Sequence, residues 1–162
     1  MSKVALLLLL TGALADAICD RTSGRHVCDP SHLLSVAARH SLEARLREIE
    51  TFPGPRECKG TSRYQMAVVV VESLKEHGHA GDIRGFSESV FKELGVGQRE
   101  CDSGVVFALA RGDRRNHLTT GKGARHALTD AHAAEILSGL RPLLRAGDLD
   151  CTYIYIYIYI YI

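Results

Sequence analysis

The sequence predicts an α/β fold in which helices pack on a small mixed β-sheet, built from a βαβ crossover and a hairpin. Two apolar runs, "MAVVVV" and "GVVFALA", have the length and β-branched content of strands buried on both faces. Between them, Phe86, Val90 and Leu94 repeat at helical spacing. The order strand, helix, strand implies a crossover with parallel strands. The turn "RGDRR" before "NHLTT" implies an antiparallel hairpin.

Length and composition favour one globular domain. The chain has 162 residues, of which 46% are hydrophobic and 24% are charged. The 20 basic and 19 acidic residues leave a net charge of +1 and are spread along the sequence. We therefore expect neither a nucleic acid nor an anionic membrane surface as a partner, because both require a concentration of positive charge.

Residues 1–17 predict a secretory signal peptide. Lys3 precedes the apolar run Val4–Leu10, and the small-x-small pattern that signal peptidase recognises follows at Ala13 to Ala17. The run is well short of the roughly 17 to 25 residues that span a bilayer. We expect the chain to enter the secretory pathway and to act outside the cell or at its surface.

Five cysteines fit that destination, because thiols pair in oxidising compartments. The C-x-x-C and paired-histidine spacings of zinc sites do not accompany them, so we predict disulfides. Residues 18–34 form a cysteine-containing N-terminal segment, and Cys151 is the expected unpaired residue. The other four allow three connectivities, among which the sequence does not choose. The disulfide candidates are Cys19, Cys28, Cys58 and Cys101.

Residues 151–162 form a low-complexity tail in which Tyr and Ile alternate. A TA dinucleotide repeat gives this alternation on translation, so we interpret the tail as a gene-model artefact. Its high β-propensity without charge, Pro or Gly is typical of aggregating segments. We expect any transmembrane anchor of the true gene product to be missing from this chain.

Residues 35–150 are the predicted folded domain, and its first two helices have clear limits. Ser35 caps a helix whose apolar positions Leu42, Leu46 and Ile49 form one stripe. The run "TFPGPRECKGTSR" then predicts a loop. The second helix spans Ile83–Leu94 and ends at a glycine.

The last helix begins at Thr129 or Asp130, either of which is a suitable N-cap. Pro142 is expected to bend or interrupt this helix, and Gly147 to end it. Its predicted apolar face consists of Ala133, Ile136, Leu137 and Leu140.

The glycine-rich stretch "TTGKGAR" raises the question of a phosphate site. Lys122 is followed by glycine, and no glycine stands five residues before Gly121, so the Walker pattern fails. A looser anion-binding nest of backbone amides over Gly121–Ala124, helped by Lys122 and Arg125, stays open.

Calcium is the one cofactor for which candidates exist. The predicted hairpin brings Gly121 back beside Asp102, so Asp102 and Asp130 are candidate ligands, whereas Asp113 lies at the far end of the strand. Calcium takes six to eight oxygens, and two carboxylates are a thin set. The competing structural roles are a turn for Asp102 and a helix cap for Asp130. No other cofactor and no catalytic residue is predicted.

Three further motifs have ordinary structural interpretations. His77 and His79 lack a third ligand nearby, so we interpret them as solvated loop residues. "GFSES" is not the G-x-S-x-G elbow of a hydrolase. "RGD" at Arg111 to Asp113 has the composition of a hairpin turn, which is the simpler interpretation than integrin binding.

The second half of the chain resembles the TPM domain. The shared elements are "ELGVG", an acidic residue before a Gly-led strand, a "DR" turn, "TG" at a strand end, "LTD" opening the last helix and "RAGD" closing it. More narrowly, "RHVCDPSHLLS", Cys101 and "TTGKGAR" resemble the secreted-side domain of the modulator of levamisole receptor family. The similarity runs from about Arg25 to Asp150.

This resemblance implies a non-enzymatic protein that acts outside the cell. Members of the narrower family are auxiliary proteins of pentameric acetylcholine-gated channels, usually anchored by one transmembrane helix. The partners implied are therefore subunits of a ligand-gated ion channel. Wider TPM relatives imply the alternative, an acid phosphatase or a calcium-binding enzyme.

Overall fold

The computed structural model describes residues 19, 26–56, 58, 63–97 and 100–149. The predicted signal peptide, Cys151 and the Tyr-Ile tail lie outside these residues. Two short 3-10 turns, Lys75–His77 and Ala124–His126, accompany the main elements. In chain order the elements are β1 (Val27–Cys28), α1 (Val36–Ile49), β2 (Gln65–Val71), α2 (Ile83–Leu94), β3 (Gly104–Ala110), β4 (Arg115–Thr120) and α3 (Asp130–Ala146).

The strands form one mixed sheet in the order β1-β2-β3-β4. β2 and β3 are parallel, with Val68 opposite Phe107, and α2 connects them. β3 and β4 form the predicted antiparallel hairpin. The α/β fold with a crossover and a hairpin is therefore confirmed, and β2 occupies an inner position, as its valine run predicts.

The strand β1 is absent from the sequence-based prediction. It has two residues and pairs in parallel with β2, Val27 opposite Val68. The His26 carbonyl extends this pairing by accepting a hydrogen bond of 2.7 Å from the Val68 amide. Two residues are too short for any alternation of apolar and polar side chains, so the pattern carries no signal.

Helices cover both faces of the sheet. On β2, Met66, Val68 and Val70 contact the apolar stripes of α1 and α3, whereas Val69 and Val71 face α2. This division follows from the strand period of two, which sends successive side chains to opposite faces. The alternating valines are buried on both sides because each face has its own helical layer.

The helix ends follow local sequence. Ser35 caps α1 by accepting from the Ala38 amide at 3.0 Å, as predicted. Of the two candidates for α3, Thr129 is the N-cap and accepts from the His132 amide at 3.2 Å. Asp130 is the first residue within the helix.

Pro142 does not interrupt α3, which continues to Ala146. A proline removes the one hydrogen bond that its own amide would make and crowds the carbonyl four residues earlier. Only one helical turn follows Pro142, so few backbone bonds depend on this position. Gly147 ends the helix in the left-handed conformation, with φ 72°.

Candidate functional site

The loop of residues 121–124 is the anion-binding nest that the sequence leaves open, and its backbone amides are bonded within the protein. The Gly121 amide donates to the Gly104 carbonyl at 2.9 Å, and the next amide, of Lys122, donates to Asp102 Oδ2 at 2.8 Å. The following two amides donate to the carbonyls of Asp102 and Gly121, each at 3.1 Å. All four donors are bonded to the protein, so the Asp102 carboxylate occupies the place of an anion.

The glycines of this loop serve close packing. A Cβ on Gly121 would overlap the carbonyl and carboxylate of Asp102, and one on Gly123 would overlap the Cys101 carbonyl. Asp102 itself lies in the left-handed region, at φ 48°. The sequence "TTGKGAR" therefore indicates a tight contact between two chain segments.

The two calcium candidates have structural roles of different kinds. The hairpin does bring Gly121 beside Asp102, and Asp102 is half-buried where it holds the loop. Asp130 is exposed in the first turn of α3, where its charge suits the helix dipole. Among the described residues, no three or more His, Cys, Asp or Glu side chains come together as a metal site. Calcium at these positions stays a hypothesis.

Two disulfides brace the domain. Cys19 is bonded to Cys28 in β1, and Cys58 is bonded to Cys101, which precedes β3. This is one of the three connectivities that the sequence leaves open. The second bond fastens the loop between α1 and β2 to the segment that packs against Gly123.

The "RGD" motif forms the hairpin turn between β3 and β4, and its charged side chains are used within the protein. Arg111 Nε donates to Glu72 Oε2 at 2.8 Å. Asp113 Oδ2 accepts from the Leu74 amide at 2.6 Å. These contacts fix the turn against the end of β2.

A histidine between two glutamates lies beside β1, at the edge of the sheet opposite β4. His26 is 5% exposed, and its Nδ1 and Nε2 atoms contact Glu43 Oε1 at 2.9 Å and Glu50 Oε1 at 3.0 Å. Gln65 extends the network by donating to Glu50 Oε1 at 2.9 Å. Burial would raise the pKa of Glu43, but the hydrogen bond and charge of His26 and the charge of Arg47 hold that pKa below its ordinary value.

His77 and His79 are not the solvated loop residues that the sequence suggested. Both are half-buried, and their ring centroids lie 5.6 and 5.7 Å from that of Phe86. Their connector therefore folds back onto α2, because the aromatic ring of Phe86 offers an apolar surface to the imidazoles.

A cleft of about 710 Å³ lies between the β3–β4 turn and the end of α3. We call it the arginine cleft, because five arginines line it. Four leucine and isoleucine side chains contribute its apolar part: Ile83, Leu109, Leu144 and Leu149. No described residue that lines it is acidic. The arginines are Arg111, Arg114, Arg115, Arg141 and Arg145.

Sequence reasoning missed this cleft. The even spread of basic residues along the chain conceals their concentration in space, since 30 residues separate Arg111 from Arg141. The available signals were the three arginines around the turn and the i, i+4 pair Arg141 and Arg145 on one side of a helix. Joining them required knowing that the turn and the end of α3 meet.

Comparison with solved structures shows the fold. The N-terminal domain of a P. gingivalis protein is 25% identical, with a TM-score of 0.63 over 86% of this chain and 80% of its own. That of the cg2496 protein from Corynebacterium glutamicum is 14% identical, with a TM-score of 0.60 over 85% and 78%. The BA42 protein from Bizionia argentinensis is 12% identical, with a TM-score of 0.57 over 81% and 83%.

Sequence comparison adds the family. Direct comparison with curated proteins gives no match. Within the described residues, no helix has the length and hydrophobicity needed to cross a membrane. Residues 27–152 match the family model described as TPM domain, whose short name includes the word phosphatase. This match covers every strand and helix of the fold and well over half of the sequence. The chain therefore belongs to the TPM domain family.

Proposed function

We propose that this chain is a non-enzymatic extracellular auxiliary protein of pentameric acetylcholine-gated channels. The observation that carries the proposal is the pair of disulfides, Cys19–Cys28 and Cys58–Cys101. Such bonds persist outside the reducing interior of the cell. The resemblance of "RHVCDPSHLLS" and "TTGKGAR" to the modulators of levamisole receptors supplies the class of partner.

Several polar side chains of the described residues are bonded within the protein. This arrangement supports a role in binding another protein. The Asp102 carboxylate holds the Lys122 amide, and the Asp113 carboxylate holds the Leu74 amide. His26 is enclosed by two glutamates. These groups stabilise the fold, while the arginine cleft presents charge at the surface. A surface of this kind suits binding to another protein.

Coexpression with a receptor tests the proposal. The full chain, carrying an epitope tag, is produced together with an acetylcholine-gated channel, and agonist currents and coprecipitation are measured. We expect the tagged chain to coprecipitate with the channel and to change its currents. A matched control lacks residues 1–17 and stays in the cytosol. Absence of coprecipitation together with unchanged currents would refute the proposal.

One observation favours hydrolysis as a second candidate function. A cleft of about 480 Å³ beside the 121–124 loop is lined by Glu100, Lys122 and His126, among others. An imidazole and an ammonium group are suitable for proton transfer and for holding a phosphate. Hydrolysis of p-nitrophenyl phosphate, with and without calcium, tests this function. Activity that is lost in His126→Gln and in Asp102→Ala but kept in His132→Gln would support it.

A further inference from the structure

The geometry points to the arginine cleft as the docking site for an acidic peptide segment of a partner protein. The segment places an apolar side chain between carboxylates. This inference rests on the proposed role as an interaction module, and it names the chemistry that the partner presents.

The charge of the cleft is not neutralised from within. Arg111 is paired with Glu72, but Arg114, Arg115, Arg141 and Arg145 form no ion pair among the described residues. Elsewhere on the surface, Arg45, Arg47 and Arg84 each have a glutamate partner one helical turn away. Since the whole chain carries a net charge of only +1, the cleft is a local concentration of positive charge. It attracts anions and repels cations over about one Debye length.

Guanidinium groups select carboxylate or phosphate oxygens. Each offers a planar fork of N–H donors that binds two oxygens at once. Arg141 and Arg145 lie near the C-terminus of α3, where the negative end of the helix dipole offsets part of their charge. Arg114 and Arg115 stand on the hairpin without that compensation, so the hairpin wall should attract the anion more strongly.

The shape and lining of the cleft favour a peptide over a bare polyanion. Its volume of about 710 Å³ is that of a pocket which holds a ligand of several residues or a large small molecule. A single phosphate would leave most of it unfilled. The half-buried side chains of Ile83 and Leu144 line the cleft together with the arginines, and a sulfated sugar has no apolar group to cover them. A peptide with an apolar side chain flanked by Asp or Glu fits both the apolar lining and the arginines of the cleft.

Fluorescence anisotropy measures this binding directly. The probe is a fluorescein-labelled peptide in which two Phe residues are flanked by four Glu residues, at 0.15 M salt. The comparison probes are the same peptide with Gln in place of Glu, a peptide of Glu alone, and a heparin oligosaccharide. The variants are Arg114→Glu/Arg115→Glu on one wall and Arg141→Gln/Arg145→Gln on the other. The control is Arg39→Glu/Arg125→Glu, which changes net charge by the same amount as the first variant but away from the cleft.

The inference predicts a loss of about tenfold or more in affinity for both cleft variants, because each removes charge-assisted hydrogen bonds. The control variant should lose less than about twofold, since only screened long-range attraction changes. The Gln peptide and the peptide of Glu alone should both bind more weakly than the probe. Equal losses in cleft and control variants, or tight binding of heparin without binding of the probe, would overturn the inference. Thermal unfolding verifies that the variants fold.

The receptor assay separates this inference from the proposed function. If Arg114→Glu/Arg115→Glu still coprecipitates with the channel and changes its currents, the cleft is not the docking site and the proposed function stands. If the wild-type chain binds the acidic probe but not the channel, the proposed function fails and the cleft assignment stands.

Discussion

Gly123 lies where two chain segments approach each other too closely for a side chain. The nearest atom to a Cβ at this position would be the carbonyl oxygen of Cys101, whose side chain is held by a disulfide. A carbonyl of the main chain moves less readily than the end of a flexible side chain. The expected effect of substitution is therefore steric and independent of any bound anion.

We predict that Gly123→Ala lowers the free energy of unfolding by about 1 to 3 kcal/mol, the usual cost of overpacking. Urea denaturation monitored by circular dichroism measures the change. The matched substitution Gly139→Ala lies within α3, where alanine is favoured over glycine by about 1 kcal/mol. It should leave stability unchanged or raise it. Equal stability of Gly123→Ala and the wild type would show that the loop has room for a side chain.

Glu43 gives a prediction about pH. Its carboxylate accepts from the Val27 amide at 3.1 Å and contacts His26, and its pKa is held below the ordinary value. A carboxylate with a lowered pKa in the folded state stabilises the protein above its unfolded-state pKa of about 4.3. That stabilisation is lost as the pH falls through the folded-state pKa.

We therefore expect Glu43→Gln to destabilise the protein by about 1 to 3 kcal/mol at pH 7, because one member of a buried hydrogen-bonded set is removed. The difference from the wild type should shrink as the pH is lowered from 5 towards about 3. Denaturation at a series of pH values measures it. Glu48→Gln, on the exposed side of the same helix, should change stability little at any pH. A difference that is constant with pH would contradict the assignment.

At the level of elements, the strands and helices with long periodic patterns are predicted by the sequence, and the short ones are not. The runs of β2 and β3 predict their burial because both faces are apolar, and Leu42, Leu46 and Ile49 predict the buried side of α1. The strand β1 has two residues and depends on the edge of β2 for its pairing. This strand forms because of a tertiary contact, so the local sequence does not predict it.

Phe86 is a fully buried aromatic side chain through which α2 packs on the sheet. Phe86 has no exposed surface and lies beneath His77 and His79 on one face of the sheet. We expect Phe86→Ala to cost about 3 to 5 kcal/mol, from lost burial and the cavity left behind. Phe52→Ala makes the same chemical change where the side chain is 40% exposed, so its cost should be clearly smaller. Calorimetric melting of both variants measures the difference, and equal losses would contradict the proposed packing.

For the whole molecule, the candidate sites illustrate what a linear sequence hides. The turn at Asp113 and the proximity of Gly121 to Asp102 follow from the hairpin, which local residues determine. The arginine cleft joins segments that are distant in sequence, so its charge is invisible in a count of 20 basic and 19 acidic residues. The pairing of the cysteines is likewise settled only by the chain path.

The predicted signal peptide and the cysteines allow the extracellular location of the protein to be tested. We expect the chain to be exported from eukaryotic secretory cells after cleavage behind Ala17, so that the mature N-terminus is Ile18. Maleimide should label Cys151 alone before reduction, and all five cysteines after it. Mass spectrometry of the labelled protein distinguishes these outcomes. A chain that stays in the cytosol with every thiol reactive would contradict both the signal peptide and the extracellular role.

The two disulfides should contribute unequally to stability, because they close loops of different length. Cys58–Cys101 spans 43 residues and Cys19–Cys28 spans 9. Loop-closure entropy assigns about 4 kcal/mol to the longer loop and about 2.6 kcal/mol to the shorter one. The double variant Cys58→Ser/Cys101→Ser should therefore unfold at lower urea concentration than Cys19→Ser/Cys28→Ser. The reverse order would show that Cys28, buried in β1, acts mainly through packing against β2 and not through the constraint on the unfolded chain.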